Sequence, residues 1–169
     1  MLLTLAPGGY TAQVTDTSGR AGVVLTEVYD ANGATTTPRF SNLSTRAPVA
    51  PGSPLVGGFV ITAADGTSTQ KVLIRGVGPG ITKFGVTNAL ADPVLKVYDT
   101  SGNLIATSND WSGSDVAAAA AATGAFALDA GSKDAALLLT LAPGGYTFEI
   151  TAAPNTAAGE ALADIYAAP

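Results

Sequence analysis

Four of the oxygen-bearing side chains in one short stretch of this sequence could serve a cation: Asp99, Asn109, Asp110 and Asp115. Carboxylate and amide oxygens are the donors that a hard cation such as Ca2+ takes. These four are the candidate metal ligands, and Ca2+ is the one cofactor the sequence offers. The D-x-D-x-D-G series of a calcium loop is absent, and Asn and Asp serve equally as turn and helix-cap residues. Trp111, the single Trp, stands among them. An exposed indole could stack on a sugar ring, whereas a Trp at a core edge gives its N–H to a loop carbonyl; the second use is the commoner. Arg75-Gly76-Val77-Gly78-Pro79-Gly80 has the glycine density of a phosphate loop. Such a loop must open an amphipathic helix, and no such helix follows here, so the stretch reads as a strand-ending turn. Asn42-Leu43-Ser44 has the form of an N-glycosylation acceptor but falls in an expected strand.

The residues that are missing narrow the chemistry further. With no His and no Cys, there is no imidazole base, no Ser-His-Asp triad and no thiol nucleophile. No pair among the 13 Asp and Glu stands out as the two carboxylates of a glycoside hydrolase. A non-enzymatic protein is the expectation. The eight Lys and Arg are scattered and the net charge is −5, which excludes the clustered cations that nucleic acid requires. No apolar run approaches the ~18 residues of a membrane span. Met1 to Gly8 carries neither a basic n-region nor a long apolar core, so a secretion signal, if one is used, is expected to lie upstream of it or to have been removed. Charged residues make up only 12% of the chain, about half the usual share. A surface built from Thr, Ser, Asn and Gly suits an extracellular or cell-surface location.

The elements that must position these residues are announced by a repeat. Leu2–Thr11 reads LLTLAPGGYT and Leu138–Thr147 reads the same, ten consecutive identities at an offset of 136. Ala12-Gln13-Val14-Thr15 then follows the pattern of Phe148-Glu149-Ile150-Thr151. After one inserted residue, Gly22 to Tyr29 follows Gly159 to Tyr166. Residues 1–31 thus repeat as 137–168, and a repeat of this kind governs the architecture. Tyr10, Ala12 and Val14 alternate with Thr11, Gln13 and Thr15, as Tyr146, Phe148 and Ile150 alternate with their polar neighbours. Period-two alternation indicates a half-buried strand, and Pro7-Gly8-Gly9 and Pro143-Gly144-Gly145 indicate tight turns. The repeated piece therefore reads as a strand pair, which is marginal in water without a body to pack on.

That body lies between the copies. Strands are expected at 39–45, 56–62, 70–75, 94–99, 103–108 and 135–141, with Asp99 to Asn103 as a turn. With the terminal pair they make about eight. The 20 Gly and 10 Pro punctuate them as in an antiparallel β-sandwich. One short Ala-rich helix is expected over 115–123, with Ser112 or Ser114 as N-cap, Asp115 in the first turn and Gly124 as the stop. It should pack on a sandwich edge. The apolar faces Val72/Ile74, Leu95/Val97, Leu139/Leu141 and Tyr146/Phe148/Ile150 should line the core. The expected organisation is an orphan strand pair at 1–31, a linker at 32–38 and an all-β module at 39–169.

Asp92-Pro93-Val94-Leu95-Lys96-Val97-Tyr98-Asp99, then Gly102-Asn103-Leu104-Ile105-Ala106, Asn109-Asp110-Trp111 and Leu141-Ala142-Pro143-Gly144-Gly145-Tyr146-Thr147 resemble the bacterial pre-peptidase C-terminal domain family. Arg39 to Arg46 and Val72 to Pro79 extend the resemblance toward tandem modules of very large secreted proteins of environmental bacteria, and it spans about 39–167. It implies a jelly-roll-like β-sandwich, secretion and no catalysis.

Three functions follow from these readings. The first is an extracellular structural protein whose copies join head to tail into a filament or tandem surface array. Its assembly interface would lie on the apolar residues of the first copy: Leu3, Leu5, Tyr10, Ala12, Val14, Val24 and Val28. The second is a carbohydrate-binding or adhesion module of a larger secreted protein, with a glycan as partner. The third is an appendage of a hydrolase. An aromatic content of 7% is low for a glycan binder, and an appendage needs no duplicated strand pair. The sequence favours the first. In it, residues 1–31 either extend a neighbouring copy's sheet or are the tail of a preceding repeat.

Overall fold

Alternating apolar residues bounded by Gly, Pro, Asn and Asp give eight antiparallel strands among the described residues. The structure, a computed structural model, describes residues 1–32 and 39–169; residues 33–38 of the expected linker lie outside the described residues. The chain divides into two units, Met1–Phe40 and Ser41–Pro169.

In the second unit the strands are β1 (Asn42–Val49), β2 (Leu55–Ile61), β3 (Gln70–Val77), β4 (Pro93–Asp99), β5 (Leu104–Ser108), β6 (Ala135–Leu141), β7 (Gly144–Ala152) and β8 (Gly159–Ala168). They form two four-stranded sheets in the orders β1-β8-β3-β6 and β2-β7-β4-β5. Two antiparallel four-stranded sheets with these orders make a jelly roll, as expected. β1 begins three residues later than the pattern indicated and runs on through Pro48. A proline is tolerated there because β1 is an edge strand, where an N–H can be spared.

Val72, Ile74, Leu95, Val97, Leu141, Phe148 and Ile150 are buried between the sheets, with Leu139 and Tyr146 packed against them. These are the residues expected to line the core. β3 is buried on its other face as well. Leu73 is fully buried beneath α1 (Ser114–Thr123), together with Val116, Ala120, Ala125 and Ala136. The helix therefore covers the outer face of the β8-β3-β6 region rather than a sandwich edge. Its Ala side chains permit this, because a small-residue face approaches a sheet closely. Asp115 lies in the first turn and Gly124 ends the helix in a left-handed conformation. The N-cap is Gly113, with φ 99° and no side-chain cap, in place of the expected Ser112 or Ser114. Among the described residues no helix is long and apolar enough to cross a membrane.

The first unit differs from its expectation. Residues 1–32 form no strand, and every residue from Met1 to Tyr29 is exposed. The missing ladder has a physical cause. The C-terminal copy supplies three strands rather than a pair, β6, β7 and β8, and two of these are internal. β7 is bonded to β2 and β4, and β8 to β1 and β3. Strands of that kind form only when neighbours on both sides supply their hydrogen bonds.

Candidate functional site

The residues singled out as metal ligands are split by the fold. Asp99 ends β4 and holds the β4–β5 turn. Its carboxylate accepts hydrogen bonds from the Ser101 N–H at 2.9 Å and from the Asn103 N–H and side-chain amide, each at 2.9 Å. These bonds, the Asn103 side chain first, hold its carboxyl below the usual range. Asn109 and Asp110 follow the other end of β5, roughly 17 Å away by strand length. Asn109, Asp110 and Asp115 do line one open depression, with Thr107, Ser112 and Leu138. Asp110 is engaged there by the Lys133 ammonium at 2.7 Å, which raises the Lys133 pKa. Among the described residues no three His, Cys, Asp or Glu side chains are placed to share a metal ion.

Trp111 lies at the edge of the cluster beneath α1. Its indole N–H donates to the Asp129 carbonyl and the Ser132 hydroxyl, both at 3.1 Å. This is the core-edge role the sequence favoured, and it leaves no indole N–H for a sugar.

The glycine-rich stretch 75–80 is a strand-ending turn that leads into a short 3-10 helix, Pro79–Phe84. Its backbone N–H groups do converge on an anion, but the anion belongs to the chain. Asp134, fully buried, accepts from the Gly78 N–H at 2.8 Å and the Gly80 N–H at 3.0 Å. Its second oxygen accepts from the Ser132 hydroxyl at 2.7 Å. Successive N–H groups turned toward one point make an anion nest. Gly78 is required because a Cβ would clash with the Leu90 carbonyl.

One more buried centre went unread. The Arg75 guanidinium, fully buried, reaches Asp164 at 2.5 Å and donates to the Phe126 carbonyl at 2.7 Å. It lies 4.4 Å from the Phe126 ring centre and 5.4 Å from that of Tyr166. Burial pushes the Asp164 carboxyl above its usual range, against the pull of Arg75. The sequence carried a signal for this pair, since Arg75 and Asp164 each interrupt an apolar strand.

The seven proposed interface residues, Leu3, Leu5, Tyr10, Ala12, Val14, Val24 and Val28, are all exposed. The segment that bears them keeps local contacts of its C-terminal counterpart. The Tyr10 hydroxyl donates to the Ala6 carbonyl at 2.9 Å, as the Tyr146 hydroxyl donates to Ala142 at 3.0 Å. A Cβ on Gly8 would meet the Tyr10 ring at 3.8 Å, and one on Gly144 would meet the Tyr146 ring at 3.8 Å. The Tyr29 hydroxyl donates to Glu27 at 3.0 Å, as Tyr166 does to Asp164 at 3.3 Å. Each copy also closes a four-residue turn between its second and third elements, Gly19 N–H to Asp16 and Thr156 N–H to Ala153, both 3.1 Å.

No family model and no curated protein matches the chain. Among solved structures, the pre-peptidase C-terminal domain of a collagenase from Bacillus anthracis is similar, with a TM-score of 0.42 and 12% identity over 78% of this chain and 98% of that one. It is a domain of the family that the sequence motifs resemble. The jelly-roll assignment itself rests on the strand order.

Proposed function

We propose that this chain is a non-enzymatic structural module of an extracellular assembly in which jelly rolls are joined head to tail, with residues 1–31 as the joining element. The observation that carries this reading is the duplication. Residues 1–169 hold one set of β1–β5 and two sequences for β6–β8. Residues 137–168 complete their own sandwich. Residues 1–31 keep the same local contacts and present the seven proposed interface side chains to solvent. Strand addition to the open sheets of a neighbouring body would cover those side chains and supply the missing ladder. One end of a module then meets a different end of the next, a heterologous contact that propagates as a filament or a tandem array. The low charge content, 12%, supports an extracellular setting.

The test extends the full chain upstream with a second copy of residues 41–136, so that Ala136 precedes Met1 as it naturally precedes Leu137. Amide hydrogen exchange at residues 10–14 and 24–28 should be fast in the unextended chain and slowed by at least tenfold in the extended one. Equal exchange in the two chains defeats the proposal.

A further inference from the structure

Resting on that reading, we infer that residues 1–31 are shaped for a jelly-roll body different from the one they share a chain with. The correspondence is strand by strand: 1–5 with the part of β6 at 137–141, 8–16 with β7, and 22–31 with β8. Because β7 and β8 are internal strands, each bonded on both sides, this segment cannot be added to the edge of a finished sandwich. It requires a body whose β7 and β8 positions are open.

The side chains then say which body. Phe148 sits across from Gly57 in the ladder, is 2% exposed, and fills the space a side chain at 57 would need, since a Cβ there would clash with its ring. Residues 1–31 carry Ala12 at that position, which against Gly57 leaves a void the size of a phenyl ring. Ala161, fully buried, becomes Val24, and Ala163, 2% exposed, becomes Thr26. Interiors are packed without spare volume, so the Val24 methyls have no room and the Thr26 hydroxyl has no partner. Asp164, which pairs with the buried Arg75, becomes Glu27, longer by one methylene. All four changes fall at buried positions, as does the change from Ile150 to Val14, while the turn Ala6-Pro7-Gly8-Gly9 is unchanged from Ala142-Pro143-Gly144-Gly145.

The partner so defined is a jelly-roll body with a bulkier residue in place of Gly57 and more room opposite Val24. It also has a polar group near Thr26 and a buried cation set back from Glu27 by about one methylene. A body like this chain's own holds residues 137–168 more tightly than residues 1–31, and that preference gives the joint a direction and a choice of neighbour, because a mismatched core docks less tightly than a matched one.

The test compares two versions of the extended chain described above: one with the natural residues 1–31, and one carrying Ala12→Phe, Val24→Ala, Thr26→Ala and Glu27→Asp. The four substitutions should slow amide exchange at residues 10–14 and 24–28 at least tenfold further than the natural segment does. If the natural segment is protected as well as the substituted one, the inference is wrong while strand completion stands. If even the substituted segment exchanges as fast as in the unextended chain, strand completion itself fails, and the inference with it.

Discussion

Residues 1–11 and 137–147 are nearly one sequence in two surroundings, and they divide what a sequence encodes locally from what it encodes at a distance. Both copies close the Tyr hydroxyl to Ala carbonyl bond four residues back. That contact needs only the residues it joins. The strand ladder forms in one copy alone, because its partners are remote: Phe148 pairs with Gly57, Ile150 with Leu55 and Leu95, and Ile165 with Leu43 and Ile74. β-pairing is paid for in loop closure before it is rewarded, and residues 1–32 form no ladder.

The comparison is broken most forcefully at the buried ion pair. Asp164→Ala would leave the Arg75 guanidinium buried without its carboxylate, and removing one partner of a buried pair costs about 3–5 kcal/mol. Glu27→Ala, at the matching position of the exposed copy, should leave the unfolding of residues 41–169 unchanged. Urea denaturation followed by the fluorescence of Trp111, which lies in that unit, reads both. An equal loss from Glu27→Ala would mean that the two copies are not in different surroundings.

A smaller effect separates the two tyrosines. Tyr146→Phe removes the hydroxyl that bonds Ala142 at 3.0 Å, and a net hydrogen bond contributes about 0.5–1.5 kcal/mol. Tyr10→Phe removes the same bond at 2.9 Å from a segment that has no ladder to anchor. By the same fluorescence measurement, Tyr146→Phe should lower the midpoint and Tyr10→Phe should not.

The eight strands were legible because Val72/Ile74, Leu95/Val97 and Phe148/Ile150 alternate with polar residues and are bounded by turn residues. The helix was legible because six Ala run between an acid and a glycine. The place of the helix was not, since its weakly patterned Ala surface does not say which face of a sheet it covers; Leu73 answers that, being apolar on the side of β3 that faces away from the sandwich interior. Asp134 was opaque for a similar reason: its partners, Gly78 and Gly80, lie over fifty residues away. Topology separates Asp99 from the other candidate cation ligands. Asp99 and Asn109 are close in sequence, yet β5 runs between them and sets them at its opposite ends.

The finest distinction is between the two turns that close each copy's second element. In the C-terminal copy the turn begins at Ala153 and has no acid; in the N-terminal copy it begins at Asp16. There the carboxylate accepts from the Ser18 N–H at 3.0 Å, the Ser18 hydroxyl and the Arg20 N–H at 2.9 Å. These bonds, the Ser18 amide first, lower the Asp16 pKa from the ordinary 3.8 to about 2. A depressed carboxyl favours the turn at any pH above its ordinary value, and the favour is lost as pH falls through about 2. A carbon-detected NMR titration of the Asp16 carboxyl should therefore have its midpoint near 2, with the Gly19 amide shift following it. Ser18→Ala should move the midpoint back toward 3.8. A midpoint at 3.8 in the unaltered chain would show that the turn of the exposed copy does not form without its neighbour, and that the two copies share less local structure than their hydroxyl and turn contacts indicate.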